Sequence, residues 1–548
     1  MRPNIPAKEV GIVADVQCGG WSTTLLNSLG VIYILGSFIG SVAAGAHDTG
    51  LRRLAFPPGY PPTTKNRYEP STAIQQYSTG RSHILGLSDD GKVWLWTRDQ
   101  AVQIELLALP LRSGDVLRVV AGCVTDPFLS LSLWFAKTVT GWDRSSVYMK
   151  NTGIVFWNPN PHRVTADADT VLTHSSVVPG TGHHRNHQGN QLGSSLASEI
   201  GEVTHHIVLE GYIVFTTDND KLFAFSTAST EESSQSSPVE LTTFCSSQGT
   251  SSVHIQDLQG SFRSFGVFKS SGEVLTGTTS LIDTFMAVSK SQLPTCALPQ
   301  PARIASLQYQ SVVTLAFGDY HIHALHANGT ISSFGVDPQR VGAFGLGHAL
   351  AAGLRGAQNC RTTHDQKLDG KHRRTIWFEP LMLQWLSYCY VTLQPRLMID
   401  LFPDWVFKSG EWFEQQGSRW EDDIHDGENE LPAYFALKVS AAGWHSAALV
   451  LVDEEKAEKG RRKHIKEPSG DENTSDTTGQ LAASAAWIWE WYCWLVRWFL
   501  GLTARDIAAD VGGNSTSRGG GRRRVRYVWE DQELPHSAWL PNTDSRQT

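Results

Sequence analysis

No C-x-x-C pair, no phosphate-binding glycine loop and no nucleophile elbow occurs in this sequence of 548 residues. Their absence leaves enzymatic chemistry without a candidate constellation, so no catalytic residue, no metal and no cofactor is expected. Cysteine is scarce: Cys18, Cys123, Cys245, Cys296, Cys360, Cys389 and Cys493 are odd in number and far apart. That is the usage of a chain with reduced thiols, and Met1 to Glu9 holds no apolar run of the signal-peptide kind. Cytoplasm and/or nucleus are the expected compartments. Charged residues make up 18%, too few for long solvated helices to dominate, and the net charge of -8 lacks the basic excess that phosphate backbones attract. No nucleic-acid partner is expected.

Long apolar runs are also missing, with one near exception at 485–502. Glu490 and Arg497 interrupt that segment, each costing about 2.5–3.5 kcal/mol at a membrane centre, so no transmembrane span is expected. Trp487, Trp491, Trp494 and Trp498 fall on one helical face, which reads as a helix docked on the protein body. An interfacial membrane helix or a partner-binding helix is the alternative.

What the chain does have is glycine, 49 residues, and aromatics at 10%, a mixture suited to short strands joined by tight turns. A unit recurs along it: an apolar lead-in, a glycine, an aromatic or histidine, a strand, a Gly-containing turn and a second apolar strand. The fullest copy spans Val312 to Leu346, with Gly318, His321, Asn328-Gly329 and Phe334-Gly335. Another has Gly80, His83, Asp90-Gly91 and the strand Val93-Trp94-Leu95-Trp96; an earlier one has Gly20-Trp21 and Leu29-Gly30. Weaker copies carry Gly141-Trp142 with Gly153, then Val203 to Phe225, then His254 to Gly277, and finally Gly443-Trp444-His445. Asn-Gly and Asp-Gly predict two-residue hairpin loops. Trp21, Trp142 and Trp444 are expected to fill the core, and His83, His321 and His445 to cap strand turns. Seven copies, six of them about sixty residues apart, predict an all-β, seven-bladed β-propeller, a monomer working by protein binding.

Three interruptions punctuate the repeat. Residues 123–141 break its grammar; excising them would join Val-Ala-Gly to Trp-Asp-Arg-Ser, which suggests a retained intron, with a long loop as the plain alternative. Residues 348–432 form a helical insertion before the last blade, with one helix after Pro380 and one after Ser409. The last blade is then 433–454 plus 525–548, with Val525 to Trp529 as its returning strand. Between these lies 455–524, expected as a disordered linker plus the 485–502 helix. His183-His184-Arg185-Asn186-His187 has no cysteine or carboxylate at ligand spacing and reads as a loop, and Arg518 to Arg526 as a localisation signal, an anion patch or a linker.

The Gly-x-x-His, x-Gly-x-Val, Trp/Phe-Gly, Gly-Leu-Gly pattern resembles the repeat of the regulator of chromosome condensation. Trp377-Phe378-Glu379-Pro380, Glu411-Trp412 through Trp420-Glu421-Asp422, Ala441 to Ser446 and Tyr527-Val528-Trp529 look like the fungal SCF-associated factor type. That resemblance implies a substrate receptor for an SCF-type ubiquitin ligase, with a protein substrate and Skp–cullin components as partners. Members of that type carry an F-box before the propeller; here the first repeat strand begins near Val10, which leaves no room for one. Trp385, Trp412 and Trp420 are the expected partner-binding anchors. The wider family implies guanine-nucleotide exchange on a small GTPase as an alternative, and the 485–502 helix a scaffold or peripheral membrane role.

Overall fold

The computed structural model describes residues 7–38, 50–106, 116–121, 144–149, 152–157, 170–182, 200–227, 237–245, 253–291, 298–335, 342–346, 374–383, 413–420, 431–464, 528–529 and 532–533. The chain divides into two compact units, Met1–Glu467 and Pro468–Thr548.

Unit 1 is a succession of antiparallel sheets met in sequence order. Blade 1 contains β1 (Val13–Cys18), β2 (Ser22–Asn27), β3 (Ile32–Gly36) and β4 (Leu51–Arg53). Blade 2 contains β5 (Ile74–Thr79), β6 (Ile84–Ser88), β7 (Val93–Trp96) and β8 (Ala101–Leu106). Blade 3 contains β9 (Val116–Ala121), β10 (Ser145–Met149), β11 (Gly153–Trp157) and β13 (Ser176–Val177), while β12 (Thr170–Thr173) lies parallel to β8 at the outer edge of blade 2. Blade 4 contains β14 (Val203–Leu209), β15 (Tyr212–Thr217), β16 (Leu222–Ser226) and β17 (Val239–Glu240). Blade 5 contains β18 (Ile255–Ser261), β19 (Ser264–Lys269) and β20 (Val274–Thr278). Blade 6 contains β21 (Val312–Phe317), β22 (His321–His326), β23 (Ile331–Gly335) and β24 (Arg374–Thr375). A hairpin of β25 (Tyr434–Ala442) and β26 (His445–Val452) follows. The first strands neighbour one another in order, and β25 neighbours both β21 and β1, so the ring closes as a propeller.

Seven full blades were expected; the described residues form six, with a two-stranded hairpin at the closing position. The reason is local. After β26 the chain enters a helix, α3 (Glu454–His464), instead of a third strand. Asp453 starts it, its carboxylate accepting the Lys456 amide at 3.1 Å. Residues 455–464 are therefore helical where a disordered linker was expected. Val528–Trp529 (β27) pairs with Gln532–Glu533 (β28) within the second unit, where a ladder with the last blade was anticipated.

One loop recurs between second and third strands. In blade 2 the Gly91 amide donates to Ser88 O and the Ser88 amide to Lys92 O, which encloses three residues, not the predicted two. Blades 1, 4, 5 and 6 repeat both bonds at Asn27, Thr217, Lys269 and His326. The third loop residue sits at positive φ, glycine in four copies (Gly329 at 79°) and Asp220 at 56° in blade 4.

Packing makes the ring. Each of six apolar clusters straddles two neighbouring sheets: Ile34 with Trp94, Leu85 with Val147, Phe156 with Phe215, Val214 with Phe265, Phe268 with Leu315, and Leu325 with Val439. A short α1 (Ala7–Val10) precedes blade 1. In blade 5 the helix α2 (Thr279–Ser291) buries Ile282 and Phe285 against the blade 4 and 5 core. Residues 380–383 are helical, starting at Pro380, and so are residues 413–420; Ser409, the expected start of the second helix, lies outside the described residues. They join Trp377, Ala433 and Ala457 in a satellite core. There the buried Glu379 carboxylate accepts from the Tyr434 hydroxyl at 2.5 Å and from Arg461 Nε at 3.2 Å. Burial and the Glu379 bond push the Tyr434 phenol up to about 12.

Candidate protein-binding face

Among the described residues, the turn between the first and second strands lies at one end of its sheet, and several of these turns are bonded to each other across sheets. The Gly20 amide donates to Arg81 O at 3.0 Å, the Glu210 amide to Phe262 O at 2.7 Å and the Asp319 amide to Gly443 O at 2.8 Å. Gly443 abuts blade 1 so closely that a Cβ there would lie 2.8 Å from Gly20 O. Backbone-to-backbone bonds of this kind leave no rotamer freedom in the scaffold, so side chains on these turns are held on a rigid rim.

Four of those side chains form a patch beside the closing seam. Trp444 is 47% exposed; Trp21, Arg81 and Tyr320 are half-buried. The Arg81 guanidinium lies over the Trp21 ring, 4.6 Å from its centroid. The expectation that Trp21 and Trp444 fill the core is corrected: both stand at turn tips, where Cβ points off the end of the sheet. Trp94, Trp96 and Trp157 are the tryptophans buried in the blades, and the indole N–H groups of Trp94 and Trp96 donate to Ser71 O at 2.9 Å and Ala55 O at 3.0 Å.

The histidines beneath the rim are buried, except His445, which is half-buried. His83 Nε2 and Ser145 Oγ share a 2.9 Å hydrogen bond from blade 2 to blade 3, and His206 Nε2 and Ser146 Oγ a 3.0 Å bond from blade 4 to blade 3. His445 Nε2 donates to Ser22 O at 3.0 Å across the closing seam. His321 packs edge-on to His323, ring centroids 5.0 Å apart. Burial lowers four of them: His206 to about 3, His323 to about 4, His321 well below the ordinary imidazole range, and His445 in the same direction. Those four are neutral spacers between sheets.

Of the other repeat residues, Gly80 and Gly318 open turns, Gly91 and Gly329 close the three-residue loops, Gly153 starts β11 and Gly335 ends β23. Gly141, Trp142, Trp385, Trp412, the 183–187 histidines, the 485–502 helix and the basic run 518–526 lie outside the described residues. Trp420 is 3% exposed and packs on Trp377 and Phe413, so it is a core residue and not a surface anchor. Sequence reasoning missed Arg81 and Tyr320. Their signal was available: Arg81 directly follows the repeat glycine Gly80, as Trp21 and Trp444 follow theirs, and Tyr320 lies two residues after Gly318. Among the described residues no group of three metal-ligating side chains converges, and no helix is long and apolar enough to cross a membrane.

No family model matches the chain. It is similar to SCF-associated factor 1 of Saccharomyces cerevisiae (strain ATCC 204508 / S288c), 23% identical over 277 residues, which cover 49% of this chain and 34% of that protein. The chain therefore spans about a third of the length of the curated relative it matches. Among solved structures it is similar to Prp20p from Saccharomyces cerevisiae, reported with its binding properties to Gsp1p and histones, at TM-score 0.43 and 11% identity, over 84% of this chain and 88% of that one. Yeast RCC1 (Prp20) bound to Kap60 gives TM-score 0.44 and 13% identity over 84% and 85%. Human WBSCR16 gives 0.36 and 12% over 57% and 72%. The chain is a propeller, and its sequence resembles SCF-associated factor 1 over about half its length.

Proposed function

We propose that this chain is a non-enzymatic, seven-bladed protein-binding propeller that acts in the cytoplasm or nucleus as a substrate receptor for an SCF-type ubiquitin ligase. The observation that carries the binding half is the turn-end patch of Trp21, Arg81, Tyr320 and Trp444. Trp, Tyr and Arg dominate binding hot spots, and here they stand on turns that cannot relax away from a partner. The ligase half is supported by the likeness to SCF-associated factor 1. Seven blades are supported by the closed ring of seven first strands, with the hairpin as the inner half of the last blade.

The test is quantitative affinity purification of the tagged full chain from the cells that express it. Skp and cullin components should co-purify with a client whose lifetime lengthens when the chain is removed. Trp444→Ala should weaken the client by about 2 kcal/mol, roughly thirtyfold, and leave the ligase components bound. A purified chain free of Skp and cullin components would overturn the ligase assignment. A client unaffected by Trp444→Ala and Trp21→Ala would move the binding face elsewhere.

A further inference from the structure

The opposite end of the first strands carries a second ring of side chains. Each of these strands has one extra residue near its start, at Ala14, Gln75, Leu117, Thr204, Gln256, Val313 and Leu437, and every one of them is exposed. The next residue in each, half-buried, faces the axis around which the first strands close: Asp15, Gln76, Arg118, His205, Asp257, Thr314 and Lys438. Most of its long polar members close on a neighbouring sheet. Lys438 pairs with Asp15, and Gln76 Oε1 accepts the Val119 amide at 3.1 Å. His205 Nε2 lies 3.6 Å from Asp257, whose carboxylate also accepts the Leu258 amide at 2.7 Å and Gln259 Nε2 at 2.6 Å.

Arg118 is the exception. Among the described residues its guanidinium makes no hydrogen bond and no ion pair, although it is half-buried. Burial pulls it below its ordinary range, and the Asp257 carboxylate, two sheets away, offsets part of that. Arg118, His205 and Asp257 hold the same post-bulge position on three successive first strands, β9, β14 and β18, and so line one sector around that axis; Asp257 and Arg118 both act on His205 as well.

We propose that Arg118, with His205 and Asp257 beside it, forms a carboxylate-binding site at the bulge end of the first strands. The guanidinium fork matches a planar carboxylate through two parallel hydrogen bonds. The Asp257 carboxylate repels a phosphate dianion more strongly than a monoanion, so the guanidinium discriminates in favour of a carboxylate. Asp257 also offers an acceptor to an N–H adjacent to the bound carboxylate, the arrangement found at a peptide C-terminus. The site is at the other end of the strands from the Trp21–Trp444 patch and stands whether or not that patch binds a client.

Thermal denaturation of the full chain tests the proposal with four probes at millimolar concentration: N-acetyl-alanyl-leucine, its C-terminal amide, glutarate and inorganic phosphate. The free-acid peptide should raise Tm; the amide and phosphate should not. Glutarate matching the peptide assigns the site to free carboxylates, and a larger shift with the peptide assigns it to peptide termini; both support it. Arg118→Met keeps the apolar stem, should abolish the peptide shift and should raise the Tm of the unliganded protein, because an unpaired half-buried charge is gone. Arg118→Lys keeps the charge without the fork and should bind about tenfold more weakly. No shift with either carboxylate probe, equal shifts in wild type and Arg118→Met, or a phosphate shift as large as the peptide's would each overturn it.

Discussion

Six of the seven seams between neighbouring sheets are apolar clusters, and the seventh is not. Where the hairpin meets blade 1, the contacts are polar: the Cys18 amide donates to Ser440 Oγ at 2.9 Å, the Cys18 thiol to Ser440 O at 3.5 Å, His445 to Ser22 O, and Lys438 pairs with Asp15. Burial pushes the Cys18 thiol up to about 12, so it serves here as a neutral donor. The difference follows from what each seam must do. Six join sheets that are close in sequence and can collapse as the chain is made. The closing seam joins residues 422 apart and has to find its register last. Directional hydrogen bonds fix register where apolar contact would tolerate slippage, at a cost in seam strength.

The sharpest way to test that contrast is to damage an apolar seam. Phe265 is fully buried between blades 4 and 5, against Phe244 and Val214. Phe265→Ala should cost about 4 kcal/mol in denaturant unfolding, the transfer loss plus a cavity that two sheets cannot close over. An effect no larger than that of the closing-seam substitutions below would erase the comparison.

Acid should act next, on the seams that hold buried histidines. His206, His321 and His323 are neutral in the fold because burial lowers their pKa, while in the unfolded chain they titrate near 6.5. Above about pH 6.5 both states are neutral and stability is full. Below it the unfolded chain takes up protons that the fold refuses, so stability falls by about 1.4 kcal/mol per pH unit for each histidine. The loss for His206 runs down to its folded value of about 3 and for His323 to about 4. Urea midpoints between pH 7 and pH 4.5 check this, and His206→Gln should flatten the slope. A slope unchanged in that variant would mean His206 is protonated in the fold.

These seams mark where the sequence could be read and where it could not. Local chemistry was legible: Asp90-Gly91, Asn328-Gly329 and the alternation through Val93–Trp96 placed turns and strands, although the loops hold three residues and not two, and the glycine anchors marked the repeat but counted seven full blades where six are described. Relations between repeats were not. The bulge residues, from Ala14 to Leu437, share a position and no composition, because an extra residue is selected by geometry and by the neighbouring sheet. Trp21 and Trp444 look like core residues until the turn directs them outward. The α2 helix was signalled by Leu281, Ile282, Phe285 and Met286 at helical spacing, but the strand repeat masked it. Arg118 gave no signal at all, since what sets it apart is that among the described residues its guanidinium makes no hydrogen bond or ion pair, unlike its long polar counterparts on the other first strands.

Smaller effects should come from the closing seam. Ser440→Ala removes the acceptor of the Cys18 amide and leaves that N–H inside the seam without a bond, which should cost about 1–2 kcal/mol. The seam should also open first: in native-state hydrogen exchange, the Cys18 amide should exchange sooner than amides of β15 or β19, which sit between two apolar seams. Simultaneous exchange would mean the ring unfolds as one unit, with closure as strong as the rest.

The smallest effect should come from Lys438→Ala. Its ammonium pairs with Asp15, yet both side chains are partly in water, 36% and 21% exposed, so solvent screens the pair. Such pairs contribute about 0.2–1 kcal/mol, and the loss should shrink as salt is added. The informative readout is its coupling to Ser440→Ala in a double-mutant cycle. The two residues lie two apart on β25 and both reach β1, at Asp15 and Cys18. If register is what the seam provides, losing one bond should loosen the other, and the double variant should fall short of the sum of the singles. Strict additivity would make the two bonds independent, and the closing seam would then be merely weaker than the other six, with no special part in setting how the ring joins.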